Sequence, residues 1–260
     1  EIMLLGQNVN SYGKLSPGEL SFAELLGRLD SIAGLERIRF TTSHPQDLSP
    51  ELIDAFAELD KLCEHLHLPV QSGSDSVLAR MRRGYTREEY LQRISRLRER
   101  CPDVALSTDI IVGFPGETDL EFAQTLEFLE LLEYDEIFSF TYSPRPQTVS
   151  AKLYEDDIPQ SLKKERLTEV QALQRDISLT KNRRRIGHVE EVLVEGPSRL
   201  KRGQWMGRSR ANRIVNMVGP VNIVGRLVPV RITGATANSL IGEVLSDKSD
   251  VNPKLERDKA

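Results

Sequence analysis

The chain has 260 residues, 39% of them apolar and 28% charged, enough for one large domain or two moderate ones with a real core. It holds no apolar run of the ~18 residues a membrane span needs, and no charged lead followed by an apolar stretch that would mark a secretory signal. Its two cysteines, Cys63 and Cys101, lie far apart and form no CxxC pair. This excludes a cysteine-rich metal site and suggests two reduced, buried thiols.

The net charge of −4 hides an asymmetry. Residues 181–260 hold 16 basic and 8 acidic side chains, whereas residues 1–180 hold 19 and 31. An acidic body joined to a basic tail region points to a nucleic-acid partner.

Taken in order, five apolar runs read as strands: Ile2–Leu5, Ile38–Thr42, His65–Val70, Ala105–Val112 and Glu136–Tyr142. The chain opens directly into the first, so residues are expected to precede Glu1. Between the strands lie stretches of helical period. Leu25, Leu29 and Ile32 share a face, as do Leu52, Ala55, Phe56 and Leu59. Tyr90, Ile94 and Leu97 form a third face, and Phe122, Leu126 and Leu129 a fourth. Ser49-Pro50-Glu51 and Thr118-Asp119 are helix-entry signals. This βα rhythm predicts a parallel sheet, with a barrel or part of one favoured over a doubly wound sheet.

Ser143–Ile158 reads as a connecting loop, and residues 159–182 as a charged helix with Leu167, Val170, Leu173 and Ile177 on one face. The helix ends at Arg183-Arg184-Arg185 and Gly187. Beyond it the apolar period becomes two, around Val192–Val194 and Val228–Ile232. Turn signals at Gly196-Pro197, Gly203, Gly219-Pro220, Gly225 and Gly234 predict a small all-β barrel. The domains expected are 1–150, a partial α/β barrel; 151–187, loop and helix; 188–246, the β-barrel; and 247–260, a flexible polar tail.

In a parallel barrel, functional side chains gather at the carboxyl ends of the strands. Each predicted strand empties there into a polar loop shaped by Gly or Pro. The segments are Gly6–Gly13, Thr41–Pro45, Pro69–Ser74, Thr108–Glu117 and Tyr142–Pro146. Taken singly, each residue has a plainer reading. Asn8 and Asn10 suit turns, His44 a packed loop, Gln71 a satisfied amide, Asp109 a structural hydrogen bond inside an apolar strand and Arg145 a surface charge. Their shared placement suits a polar ligand with amino, carboxylate and ribose groups. There is no Walker loop, and Gly113-Phe114-Pro115-Gly116-Glu117 is not a GxGxxG fingerprint.

Four segments, in order, resemble the MiaB-type tRNA methylthiotransferases of the radical SAM class. They are Gly6-Gln7-Asn8-Val9-Asn10-Ser11-Tyr12-Gly13; His67–Asp75 followed by Met81–Thr86; Asp109–Thr118; and Tyr142-Ser143-Pro144-Arg145-Pro146. The likeness runs from residue 1 to about 246. The Gln-Asn-Val-Asn and Gln-Ser-Gly-Ser segments resemble the branch acting on isopentenyl-adenosine, rather than the branches acting on threonylcarbamoyl-adenosine or a ribosomal protein. Gln147 departs from the family, which has Gly after Pro-Arg-Pro.

The resemblance implies a partial radical-SAM TIM-like barrel lacking its first strand and cluster loop, followed by an OB-like TRAM domain. It implies S-adenosyl-L-methionine and two 4Fe–4S clusters whose cysteines lie outside this chain, so that the chain alone is inactive. The activity implied is methylthiolation of N6-isopentenyladenosine at position 37 of tRNA, through a 5′-deoxyadenosyl radical, with flavodoxin or ferredoxin as electron donor, in the cytoplasm. Asn8, Ser43, Gln71, Asp109 and Arg145 are the expected contacts to the cofactor or target base. The anticodon stem-loop is expected to meet Arg199, Lys201, Arg202, Trp205, Arg208, Arg210 and Arg213, cations for phosphates with one indole for stacking. A cluster-less RNA-binding protein that keeps the barrel as a scaffold is the alternative.

Overall fold

A computed structural model describes residues 1–14, 18–198 and 203–245. It divides into two units, Glu1–Ile177 and Ser178–Ala260. The first begins with five strands: β1 Ile2–Leu4, β2 Ile38–Phe40, β3 His65–His67, β4 Ala105–Val112 and β5 Glu136–Thr141. All pairings are parallel, β1 with β2 and β3-β4-β5 in series, and an Ile38–Leu62 bridge joins the two sets. Spatial order therefore follows chain order, the order of a wound βα barrel rather than of a doubly wound sheet.

Helices α1 Phe22–Asp30, α2 Pro50–Glu58, α3 Asp75–Arg80, α4 Arg87–Arg100 and α5 Asp119–Leu132 make the returns. Their apolar faces meet one face of the sheet, where Leu26, Ile38, Leu66, Leu68, Leu106, Ile110, Phe128 and Leu129 are all inaccessible to solvent. Ser49 caps α2, its hydroxyl accepting the Leu52 N–H at 3.2 Å. Ser21 with Glu24, Thr86 with Glu89 and Thr118 with Glu121 form complete capping boxes on α1, α4 and α5. All three follow the S/T-x-x-E pattern, and the third is the one expected from Thr118-Asp119.

Two expectations need correcting. Ile32 does not continue the face of α1. The helix stops at Asp30, whose carboxylate accepts the Lys61 N–H at 2.8 Å, Gly34 turns the chain at φ +79°, and Ile32 is left 49% exposed. Ser143–Ile158 is not all loop. It holds a short helix, α6 Val149–Leu153, started by the Thr148 hydroxyl, which accepts the Ala151 N–H at 3.4 Å. Its five residues are too few to show a helical period.

A long helix, α7 Gln160–Arg183, follows. Lys163 and Arg166, on its first turns, are buried. The Lys163 ammonium donates to the Tyr142 carbonyl at 3.2 Å and to Asp156. Arg166 donates to the Glu117 carboxylate at 2.8 Å and carbonyl at 3.0 Å, and to Asp119 at 2.7 Å. The start of α7 is thereby fastened to the loop leaving β4.

The second unit contains β6 Val189–Pro197, β7 Trp205–Ser209, β8 Ile214–Val218, β9 Leu227–Ala235 and β10 Leu240–Val244. They close into a barrel in the order β10-β8-β7-β6-β9, antiparallel except for β8 with β10. Alternate residues, among them Val192, Val194, Val215, Met217, Val230 and Ile232, fill it. Gly207 allows the β6–β7 approach, since a Cβ there would lie 2.1 Å from the Leu193 carbonyl oxygen. The tail expected at 247–260 lies outside the described residues.

A polar cup at the strand ends and a small barrel

The loops after β1 and β2 are laced together. The Val9 N–H donates to the Thr42 carbonyl at 3.1 Å. Asn10 donates to the His44 carbonyl at 3.0 Å and accepts the His44 N–H at 2.8 Å. Asn8 donates to Asp47 at 2.6 Å, and Lys14 to the same carboxylate at 2.5 Å. Burial pushes the Asp47 carboxyl up, but these two donors outweigh it and hold it below its usual range. Burial, helped by nearby Arg83, pushes the His44 imidazole down, favouring its neutral form. Beside these loops and the N-termini of α1 and α2 lies a cleft of about 370 Å³ lined in part by Asn10, Lys14, Ser21, Asp47 and Ser49.

His44 also reaches the next loop, edge-on to the Tyr85 ring at 5.7 Å, while the Tyr85 hydroxyl donates to the Val70 carbonyl at 3.0 Å. The loop after β3 then bridges to β4: the Gln71 N–H donates to the Asp109 carbonyl at 2.9 Å, and the Ile111 N–H to the Gln71 carbonyl at 2.9 Å. Ser72 and Gly73 serve a different purpose from Gln71. The Gly73 N–H donates to the Thr125 hydroxyl of α5 at 3.0 Å, and the Ser72 hydroxyl meets the same group at 3.3 Å. Half of the Gln-Ser-Gly-Ser motif is therefore docking surface for a helix.

Two non-glycine residues on this rim hold left-handed backbones, Thr42 at φ +60° and Gln71 at φ +74°. Such strain costs ~1–3 kcal/mol per residue and concentrates at ligand sites. For β-branched Thr42 it is a genuine outlier. Two polar atoms on the laced loops after β1 and β2 are buried without a hydrogen-bond partner, Oδ1 of Asn8 and Oγ of Ser43. An orphaned buried acceptor or hydroxyl is costly unless a ligand or water completes it.

Of the five expected cup residues, Asn8 and Ser43 sit on the laced pair of loops, and Gln71 and Asp109 are joined through backbone hydrogen bonds. Arg145 is exposed in the loop after β5, and none of the described contacts ties its side chain to the other four. In that loop Gln147 has φ +71°, the left-handed region that suits the Gly of the family pattern. Gln147→Gly is expected to stabilise the chain by ~1 kcal/mol, read as a rise in melting temperature with the strand content of the circular dichroism spectrum unchanged.

In the second unit Trp205 packs against the barrel core, and its indole N–H donates to the Pro220 carbonyl at 2.9 Å. This anchors the ring edge. Arg208 pairs with Glu195 at 3.2 Å and reaches the Asn212 carbonyl at 3.4 Å. Arg210 and Arg213 are half-buried. Arg199, Lys201 and Arg202 lie outside the described residues. No helix among the described residues is long and apolar enough to cross a membrane.

The strand order, polar cup and appended β-barrel define the class. Residues 1–129 match the Radical SAM superfamily model, and residues 183–245 match the TRAM domain model. The chain is 52% identical, over 95% of its length, to the tRNA-2-methylthio-N(6)-dimethylallyladenosine synthase of Syntrophobacter fumaroxidans. It is 57% identical, over 94% of its length, to the protein of the same name from Geobacter metallireducens. The chain belongs to the radical SAM methylthiotransferase family. It spans 54% and 55% of the length of these two relatives. Among solved structures, coproporphyrinogen III oxidase (HemN) from Escherichia coli aligns over 78% of this chain and 50% of its own, at 14% identity and a TM-score of 0.45.

The cup suits the family cofactor S-adenosyl-L-methionine in kind, because its orphaned Asn8 and Ser43 atoms and the half-exposed Asp109 carboxylate match amino, carboxylate and ribose groups. An iron–sulfur cluster is not accommodated by the described residues. Cys63 and Cys101 are both buried, and no group of three metal-ligating side chains occurs among the described residues.

Proposed function

We propose that the protein carrying this chain methylthiolates N6-isopentenyladenosine at position 37 of tRNA, beside the anticodon, giving the 2-methylthio derivative. The supporting observation is 52–57% identity to synthases of that product over 94–95% of the chain. In this reading residues 1–177 form the cofactor cup and the β-barrel grips the RNA. Both clusters take their thiolates from sequence outside this chain, flavodoxin or ferredoxin supplies the electron, and the work is done in the cytoplasm.

When bound, S-adenosyl-L-methionine and a cluster supply the radical that opens adenine C2 to methylthiolation. The chain's own residues bind and orient. Asn8 Oδ1 and Ser43 Oγ offer an acceptor and a hydroxyl, each lacking a partner. Gln71, held in a strained backbone, and Asp109 offer an amide and a carboxylate to the cofactor's hydroxyl and amino groups. Arg145, from the loop after β5, is the fifth of these contacts to the cofactor or target base. In the second unit Arg208, Arg210 and Arg213, with Arg199, Lys201 and Arg202, meet phosphates, while Trp205, its edge fixed by Pro220, leaves a face for a base.

The decisive assay gives cluster-loaded full-length protein, S-adenosyl-L-methionine and a reductant to isopentenylated tRNA. Nucleoside mass spectrometry should find the 2-methylthio product. Its absence, with the threonylcarbamoyl substrate modified instead, would assign the chain to the other branch. The 260-residue chain alone should bind the anticodon stem-loop, with affinity falling ~100–1,000-fold between about 50 and 200 mM salt if the basic face makes four to six phosphate contacts. Salt-independent retention in a filter-binding series would remove the RNA role of the barrel.

A further inference from the structure

The sheet face turned away from the helices carries a polar chain of which the preceding reading uses only Asp109. β3 and the residue after it alternate Leu66 and Leu68, fully buried toward the helices, with His65 and His67 on the other face. β4 does the same with Leu106, Thr108 and Ile110 against Ser107 and Asp109. The register sets His67 beside Ser107, and Asp109 beside Phe138 of β5. The Ser107 hydroxyl lies between His65 Nε2 at 3.2 Å and His67 Nδ1 at 3.0 Å. His67 Nε2 faces Asp109 Oδ1 at 3.6 Å, and the Phe138 ring holds the imidazole edge-on at 5.7 Å.

Elementary chemistry gives this row a direction. A carboxylate only accepts, so it favours the proton of a neutral His67 on Nε2. Nδ1 is then an acceptor, and the Ser107 hydroxyl, with one proton, donates to it. Its oxygen in turn accepts from His65 Nε2–H. Donation therefore runs His65 to Ser107 to His67, and Asp109, 3.6 Å from His67 Nε2 and just beyond hydrogen-bond reach, biases the His67 tautomer electrostatically. Among the described residues, no donor occupies the other carboxylate oxygen, Oδ2 of Asp109, and the Asp109 side chain is 29% exposed.

We propose that His67, set by Ser107 and His65, is a positioning residue that turns Asp109 so that Oδ2 accepts a hydrogen bond from a hydroxyl or amino group of the nucleoside cofactor in the cup. This rests on reading the cup as an S-adenosyl-L-methionine site. The neighbouring strand thus orients a side chain that could otherwise rotate freely beside the ligand.

The test uses His67→Phe, His67→Gln, Asp109→Ala and the double variant His67→Phe/Asp109→Ala. Gln can place an N–H near the position of His67 Nε2, and Phe cannot. Titration of cluster-loaded full-length protein with S-adenosyl-L-methionine should show His67→Phe binding roughly tenfold more weakly, the size expected for a hydrogen bond to a charged group, and His67→Gln recovering most of that loss. Asp109→Ala should weaken binding at least as much, and adding His67→Phe to it should change nothing further. Additive losses, or a Gln variant as weak as Phe, would overturn the proposal. On the 260-residue chain, ¹⁵N-histidine spectra at neutral pH should show His67 as the Nε2–H tautomer, becoming mixed in Asp109→Ala; an unchanged tautomer would overturn it equally. If the wild type fails to bind S-adenosyl-L-methionine, the reading of the cup falls, and the ¹⁵N result alone decides whether His67 answers to Asp109.

Discussion

Replacing Arg166 with Met should destabilise the first unit by ~3–5 kcal/mol, the range for removing one partner of a buried ion pair. The Arg166 and Glu117 side chains are 3% and 2% exposed, and the Glu117 carboxylate also accepts the Gly113 N–H at 2.7 Å. Burial pushes the Glu117 carboxyl above its usual range, against the downward pull of the Gly113 N–H and the Arg166 charge. A carboxyl whose folded pKa is raised contributes most stability while protonated, and that contribution is lost as pH rises through the folded pKa. Without Arg166 one downward pull disappears and the folded pKa climbs further. The destabilisation of Arg166→Met should therefore grow from about pH 5 to about pH 8 in urea melts. The double variant Arg166→Met/Glu117→Gln should recover much of the loss, because no buried charge is left alone. A flat pH dependence, or a double variant no better than the single, would refute the account. Asp119, 94% exposed, contributes little to the pair.

The second large effect is expected at Gly73. A Cβ there would lie 2.6 Å from Thr125 Cα, 2.8 Å from the Gln124 carbonyl oxygen and 2.8 Å from Phe128 Cβ. Two of these atoms belong to the backbone of α5 and cannot rotate away. Gly73→Ala should cost ~3 kcal/mol, the upper part of the overpacking range, and loosen the loop that carries Gln71. Thermal melts should show the cost. A melting temperature equal to the wild type would mean that α5 does not pack on this loop as described. Thr125→Ser keeps the hydroxyl that accepts from Gly73 and should be far milder, so the pair separates steric from hydrogen-bonding contributions.

Much of this architecture was legible without coordinates, for identifiable reasons. β4 matched its expected bounds, Ala105–Val112, because eight apolar-rich residues buried on both sides leave a continuous signal. Ser49 and Thr118 announced α2 and α5 because capping is local chemistry, satisfied within four residues. Short elements were not legible. α3 and α6, of six and five residues, are shorter than two helical turns and carry no period. Ile32 fitted the helical period of α1, yet the contact of Asp30 with Lys61, remote in sequence, ends the helix before it. In the small barrel, Arg208 and Trp205 looked like free cation and free indole. Their partners Glu195 and Pro220 are brought to them only by strand pairing and barrel closure.

The sequence by itself determined the βα rhythm, the change of period after Gly187, the family and the absence of a cysteine set for a cluster. These are properties of local pattern and composition. Only the tertiary structure decided which motif residues lie on the rim of the cup and which hold the scaffold. Ser72 and Gly73 read like site residues but dock α5, and Glu117 reads like one but neutralises Arg166. Conversely, His65 and Ser107 carried no signal in the sequence, yet register places them in line with His67 and Asp109. The physical reason is that a side chain's neighbours across a parallel sheet are set by strand pairing between segments about forty residues apart, which local chemistry does not encode.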